Sequence, residues 1–550
     1  MINQKKLFFL LFFFNSAILT GQSNFWQYYS FTKSDSLRGS LRQERTCYDV
    51  TYYKLDIRVD ISHRSLEGFV DIHYTALADF DRLQIDLFDN MQISQIMYGG
   101  EELTFEREQN AVFVNFPQQY QGSQGVFRVY YSGQPKVAVR PPWDGGFIWA
   151  EDESGKPWVT VACQGIGASL WWPNKDHLSD EPDSLSIRIT VPDGLRAIAN
   201  GQLRSISLRE DEYCYEWFVS YPINNYNVSI NIGDYIHIAD QYESVEEENV
   251  SLDYYVLKGN EEIAVRHFMQ VKDVLTCLEQ YLGPYPFPDD GFALIETPYN
   301  GMEHQSGIAY GNRFQKGYLG LERIEGIDFD YVIMHEAAHE YFGNSLSCTD
   351  IAEIWLHESF TTYMESVYVE CRYGYKKALL YLLSQRQSIE NQKPVIGPVN
   401  INWDDWDSSD NYNKGAWVLH TLRNVLDDDK KWFALLRGFY EKYQYQSVTT
   451  HEWIQYVNNF TGENFEPFFQ QYLYHAKLPR LEYRLQSFAE GVSVRYRWRA
   501  DVPGFDMPVK VWSGEKSAWL EPTSEWQEMT LVEFSTESFR VAGELFLLEE

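Results

Sequence analysis

The segment His335-Glu-Ala-Ala-His339, with a glutamate at 358 inside Trp-Leu-His-Glu-Ser-Phe, constrains this chain more than any other feature. Histidines at i and i+4 share one face of a helix, so their imidazoles can converge on one ion. Glu336 lies one position along, beside the ion rather than on it, where it can take a proton from the attacking water. Glu358 adds a carboxylate after 18 intervening residues, enough for a loop and the start of a second helix. Two histidines and one glutamate leave the fourth zinc position open, as a catalytic site requires. The flanks predict the helices. Asp328-Phe-Asp-Tyr-Val-Ile-Met offers acidic N-caps followed by apolar residues, and Gly343 suits the helix end. A second helix is predicted from about Trp355 to Tyr373, closed by Gly374, with Glu358 in its first turn.

A chain of 550 residues exceeds one compact core, so several domains are expected. The formal charge of -33 argues against nucleic acid or anionic lipid as a partner. Met1-Ile-Asn-Gln-Lys-Lys is basic, Leu7 to Phe14 is apolar, and Ser16 to Gln22 turns small and polar. That order reads as a signal peptide over residues 1–22, which implies export to the periplasm or beyond. The apolar run is short for a membrane span, so no stable membrane insertion is expected. Six cysteines, at 47, 163, 214, 277, 348 and 371, include no CxxC, so no zinc ribbon is indicated and no pairing follows.

Alternating patterns such as Tyr52-Tyr-Lys-Leu-Asp-Ile-Arg-Val-Asp predict strands between turn clusters up to about Asp234. Helical patterns then dominate to about residue 478, and strands return with Val492-Ser-Val-Arg-Tyr-Arg-Trp. The expected fold class is a multidomain α+β protein. It has an N-terminal antiparallel β domain (23–235), a mostly helical domain that carries the histidine motif (236–478) and a short C-terminal β-sandwich-like domain (479–550).

Three further motifs extend the first. Asn300-Gly-Met-Glu-His304 precedes it, Ala162-Cys-Gln-Gly-Ile-Gly-Ala168 lies in the β region, and Tyr412-Asn-Lys-Gly-Ala416 follows. In order and spacing the chain resembles the aminopeptidase N family of zinc gluzincins, which also includes leukotriene hydrolase. The family pattern is Gly-x-Met-Glu-Asn, then HExxH, then a glutamate after 18 residues. Here the glycine, Gly301, stands directly before Met302, and His304 replaces the asparagine. His357 replaces the asparagine before Glu358. Neither histidine is read as a ligand, and His304 is expected to hydrogen-bond locally. The large C-terminal helical domain of many family members is not expected, so no residue is assigned to recognition of a substrate's C-terminus.

The resemblance implies a zinc catalytic domain of the thermolysin-like type over 236–478, and it implies roles. His335, His339 and Glu358 would bind one zinc ion per chain, and Glu336 would be the base. Tyr412 would stabilise the oxyanion. Glu303 would bind a free α-amine, with Gln164 beside it and Gly301 and Met302 lining the substrate. Glu365, two turns after Glu358 on the same helix face, would orient a zinc histidine. The expected activity is removal of the N-terminal residue from peptides with a free N-terminus; the oligomeric state stays open. The alternatives are a zinc endopeptidase and an inactive secreted binding protein of the same fold. The first requires the amine anchor to be missing, and the second requires a lost ligand, base or tyrosine. Nothing in the sequence points to a lipid epoxide as substrate.

Overall fold

A computed structural model describes residues 25–549, except 210, 247–248, 322–323 and 404–407. The expected signal peptide lies outside the described residues. The first half is built on an eight-stranded sheet. Tyr48–Asp60 pairs antiparallel with Ser65–Ala76, and Leu55, Ile57 and Val59 alternate inward along it. One ladder departs from the antiparallel expectation, because Tyr48–Asp60 pairs in parallel with Ser184–Pro192. A four-stranded sheet follows, in which Pro157–Ala162 runs up to the Gln164 loop.

Strands continue past residue 235, where the sequence pattern had turned helical. Tyr235–Glu243 and Asn249–Leu257 join Phe292–Glu296, Ile308–Tyr310 and Gly301–Met302 in a five-stranded sheet. Its inner strands are buried on both faces, while the edge strand Tyr235–Glu243 is largely exposed. Leu252, Tyr254, Leu294 and Ile308 belong to the core shared with the helices. Tyr255, Ile295, Ala309 and Met302 belong to the core of the β region. Period-two alternation thus sends successive side chains into different cores, and the Gly301–Met302 strand runs along the seam between them.

The helix Tyr331–His339 starts at Asp330, whose carboxylate accepts from the backbone N–H of Val332 and Ile333. The helix Trp355–Tyr373 packs against it and stops at Gly374, which adopts φ 84°. A disulfide joins Cys277, on the helix Gln270–Leu282, to Cys371 on the second helix. The other four cysteines are free and buried. The C-terminal strands form two three-stranded sheets whose apolar residues join the helical core. No helix among the described residues is long and apolar enough to cross a membrane.

Candidate active site

His335, His339 and Glu358 meet at one buried point. The Nε2 atoms of the two histidines are 3.2 Å apart. Glu358 Oε2 lies 3.7 Å from His335 Nε2 and 3.4 Å from His339 Nε2. Tetrahedral zinc with bonds near 2 Å spaces its ligand atoms about 3.3 Å apart, so the trio fits such an ion. The hydrogen bonds behind the atoms agree. His335 Nδ1 donates to Glu365 Oε1 at 2.7 Å, and His339 Nδ1 donates to the Phe342 carbonyl at 2.9 Å. Both rings therefore turn an unprotonated Nε2 inward. Glu358 Oε2 is buried with no hydrogen-bond partner, as suits an atom aimed at a cation. Burial works to raise the Glu358 carboxyl, but the neighbouring histidines hold it well below the usual range.

Glu365 is itself fixed, because Tyr381 Oη and Gln385 Nε2 donate to its Oε2 at 2.7 and 2.9 Å. Glu336 lies beside the trio rather than within it, and it forms a second convergent group with Glu303 and His339. Burial pushes the Glu336 carboxyl up, His335 and His339 pull it down, and Glu303 and Glu358 push it up again. The net direction is upward, toward a group that can exchange a proton near neutrality. Gly301 runs directly over this carboxylate. A Cβ at 301 would come within 2.5 Å of Glu336 Oε1 and 2.7 Å of Val332, so no larger residue fits there. Met302 is buried beside it.

Glu303 is held from two sides. Gln164 Nε2 donates to Glu303 Oε1 and also to Glu358 Oε1 at 3.0 Å, bridging the two carboxylates. Tyr226 Oη donates to Glu303 Oε1 at 3.0 Å. Behind Tyr226 stands His357. Its Nε2 accepts the Cys348 backbone N–H at 2.7 Å, which leaves the proton on Nδ1, 3.3 Å from Tyr226 Oη. Tyr226 therefore accepts from His357 and passes its own hydrogen to Glu303. Tyr412 stands immediately before the helix Asn413–Leu426 and lies nearly parallel to the His335 ring at 6.1 Å. Burial, then the Glu358 and Glu303 carboxylates, push its phenol well up, so it remains a donor. A cavity of about 790 Å³ opens over the group and is lined by Gln164, Glu303, Glu336, Tyr412, Trp143 and Arg140 among others.

All ten residues singled out in the sequence thus lie in or against one site. His304 differs from expectation: it is fully buried and neither ring nitrogen has a hydrogen-bond partner. Burial pushes its pKa down to about 3, which keeps the unpartnered ring neutral. Sequence reasoning missed Tyr226, one of 39 tyrosines with no motif around it. It also missed Arg38, which donates to the Gly165 carbonyl and to Asn402, so that an N-terminal helix steadies the Gln164 loop.

Residues 267–472 match the peptidase family M1 domain. Leukotriene A-4 hydrolase of Xenopus laevis is 22% identical over 441 residues, 75% of this chain and 68% of that protein. Aminopeptidase N of Caulobacter vibrioides is 24% identical over 320 residues, 54% of this chain and 36% of that protein. Aminopeptidase B of Rattus norvegicus is 22% identical, and the match spans about half its length, 49%. An M1 zinc metallopeptidase from Deinococcus radiodurans shares the fold, with a TM-score of 0.62 at 20% identity over 76% of this chain and 91% of that one. A mutant of the Deinococcus protein has been solved with a Tyr-ser-ala substrate. Residues 267–472, which carry the trio, thus match the peptidase family M1 domain, and the chain shares its fold with an M1 zinc metallopeptidase.

Proposed function

We propose that the chain is an exported zinc aminopeptidase that releases the N-terminal residue of peptides. The observation that carries this reading is Glu303. It is a buried carboxylate, fixed by Gln164 and Tyr226, in the same cavity as the His335, His339 and Glu358 trio. A carboxylate held there favours a substrate cation, and the free α-amine of a peptide is the cation nearest its first amide. One zinc ion held by the trio would polarise the scissile carbonyl and acidify a water.

The chain's own groups do the rest. Glu336 takes the proton of the attacking water and returns it to the departing amine. Tyr412 donates to the carbonyl oxygen as it gains charge. Glu365 keeps His335 oriented with Nε2 inward. Gly301 and Met302 let the substrate backbone pass close to Glu336. The peptide bound by the Deinococcus relative supports peptides as the substrate class.

The division into residues 23–235, 236–478 and a β-sandwich-like 479–550 belongs to the same proposal. So does a signal peptide over 1–22, which the Cys277–Cys371 disulfide supports, since such bonds persist in oxidising compartments. The test is to strip the protein with a chelator and follow a free peptide by mass spectrometry. Loss of the first residue should stop, then resume when zinc is returned. Unchanged release without metal would end the proposal.

A further inference from the structure

The strand Arg480–Phe488 forms one edge of a three-stranded sheet, hydrogen-bonded on its inner side to Gly491–Arg499. The register of this pair is unusual for so acidic a chain. Arg480 lies opposite Arg499, Glu482 opposite Arg497, and Arg484 opposite Arg495. Residues directly opposite share a face, so five arginines and one glutamate occupy one side of two strands. Like charges placed opposite one another destabilise a sheet. The chain's net charge is -33, yet Arg480 and Arg484 form no ion pair among the described residues, while Arg495 lies opposite Glu528 on the third strand. Glu482 is taken by Arg497 and Arg499, at 2.7 and 2.6 Å. Three of the guanidiniums, from Arg484, Arg495 and Arg497, lie 4.7 to 5.3 Å from the Trp526 ring centre, which holds them in place.

A cleft of about 770 Å³ wraps this edge. It reaches beyond the sheet to Arg386 and Arg540, and on the strand's other face it meets Tyr483 and Phe539, whose rings pack at 5.3 Å. Arginines on an edge strand can serve simply to repel other strands. That role does not call for arginines on the second strand as well. Arg386 is held by the Gly543 and Leu548 carbonyls and Arg540 by Glu544, and both only border the cleft. Pairing with a second copy of the chain would set one arginine row against another, so this edge does not suit self-association. The Trp526 face already carries guanidiniums, which disfavours it as a stacking platform for a sugar or base.

We propose that the edge strand Arg480–Phe488 is a docking site for an extended acidic peptide segment, added as a further strand. An open edge supplies backbone hydrogen bonds to such a peptide, and alternate side chains then supply the specificity. Side chains on one face of an extended chain recur every second residue, about 6.6 Å apart. Acidic residues four apart would face Arg480 and Arg484, with a neutral residue opposite Glu482. The intervening apolar residues would lie on Tyr483 and Phe539. The proposal does not depend on the zinc site or on its reaction.

The probe is a fluorescent peptide, N-acetylated and C-amidated, of sequence Thr-Glu-Val-Gln-Val-Glu-Thr, titrated into the full protein and read by anisotropy. It should bind at least about tenfold more tightly than the same peptide with lysine for glutamate, since two pairs reverse sign. Arg480→Glu/Arg484→Glu should lose that difference while keeping the circular-dichroism spectrum of the unaltered protein, which controls for folding. N-methylation of alternate backbone nitrogens on the pairing side keeps the charges but removes the strand bonds, and should weaken binding. Equal binding of the glutamate and lysine peptides, or of the protein with and without the two substitutions, overturns the proposal. So does equal binding of the N-methylated peptide, the result expected of a patch that takes any polyanion.

Discussion

Under the proposed function the site has two halves built in different ways. The metal half, His335, His339, Glu358 and Glu365, comes from two packed helices within 31 residues. The amine half, Gln164, Tyr226, Glu303 and His357, is collected from the β region, the sheet at the seam and the second helix. Helix geometry alone fixes most of the first half, since i, i+4 and i+7 positions share a face. The second half depends on which strand lies beside which, and its partners are 77 to 139 residues apart. On that proposal, reaction chemistry is local in the chain while the choice of substrate is distributed across it.

Four substitutions probe this division, the largest expected effect first. Glu336→Gln should slow peptide hydrolysis by about a hundredfold to ten-thousandfold. Its zinc content, measured by elemental analysis, should match the unaltered protein, because Glu336 stands beside the ligands. Glu365→Gln should act through the metal. Competition with a chelator should show zinc affinity reduced by about ten- to a hundredfold, with turnover recovered in excess zinc. Tyr226→Phe should affect only the amine half. Removing one hydrogen bond to a buried carboxylate should raise KM by about tenfold while kcat and zinc affinity hold. If kcat and zinc affinity fell with it, the two halves would not be separable.

Glu353 belongs to neither half and sets the baseline. It is buried at the entry to the Glu358 helix, where it accepts the Thr450 backbone N–H at 2.8 Å. Burial pushes its pKa from 4.5 up to about 7, against the pull of Thr450. Between those values the folded protein holds a proton that the unfolded chain has lost, so stability falls as pH rises through this window. Glu353→Gln accepts the same hydrogen bond without ionising. Its melting temperature should equal that of the unaltered protein near pH 4.5 and exceed it by about a few degrees at pH 8. Kinetic constants at pH 7 should not move.

The same division governs what the sequence could reveal. Both helices, the Asp330 cap and Gly374 follow from local pattern, whereas the first helix ends at His339, short of the expected Gly343, and the second begins at Ile354 with no side-chain cap. The Gly301-Met302-Glu303 motif could be placed by its distance from His335. The five-stranded sheet was hidden, because three of its strands are short and buried on both faces, and helices and turns separate them from the rest. Tyr226 was invisible for a related reason: its function comes from contact with His357 and Glu303, and nothing in its neighbours along the chain signals that contact. The Cys277–Cys371 pairing likewise needed the packing of two helices 94 residues apart.

The central claim is that Glu303 directs the zinc site to a free N-terminus. One peptide, offered with a free and with an acetylated N-terminus to the zinc-loaded protein, tests it most directly. The free form should lose residues singly from its N-terminus, and the acetylated form should stay intact under the same conditions. Cleavage of the acetylated peptide at a comparable rate, at its first bond or an internal one, would contradict the claim.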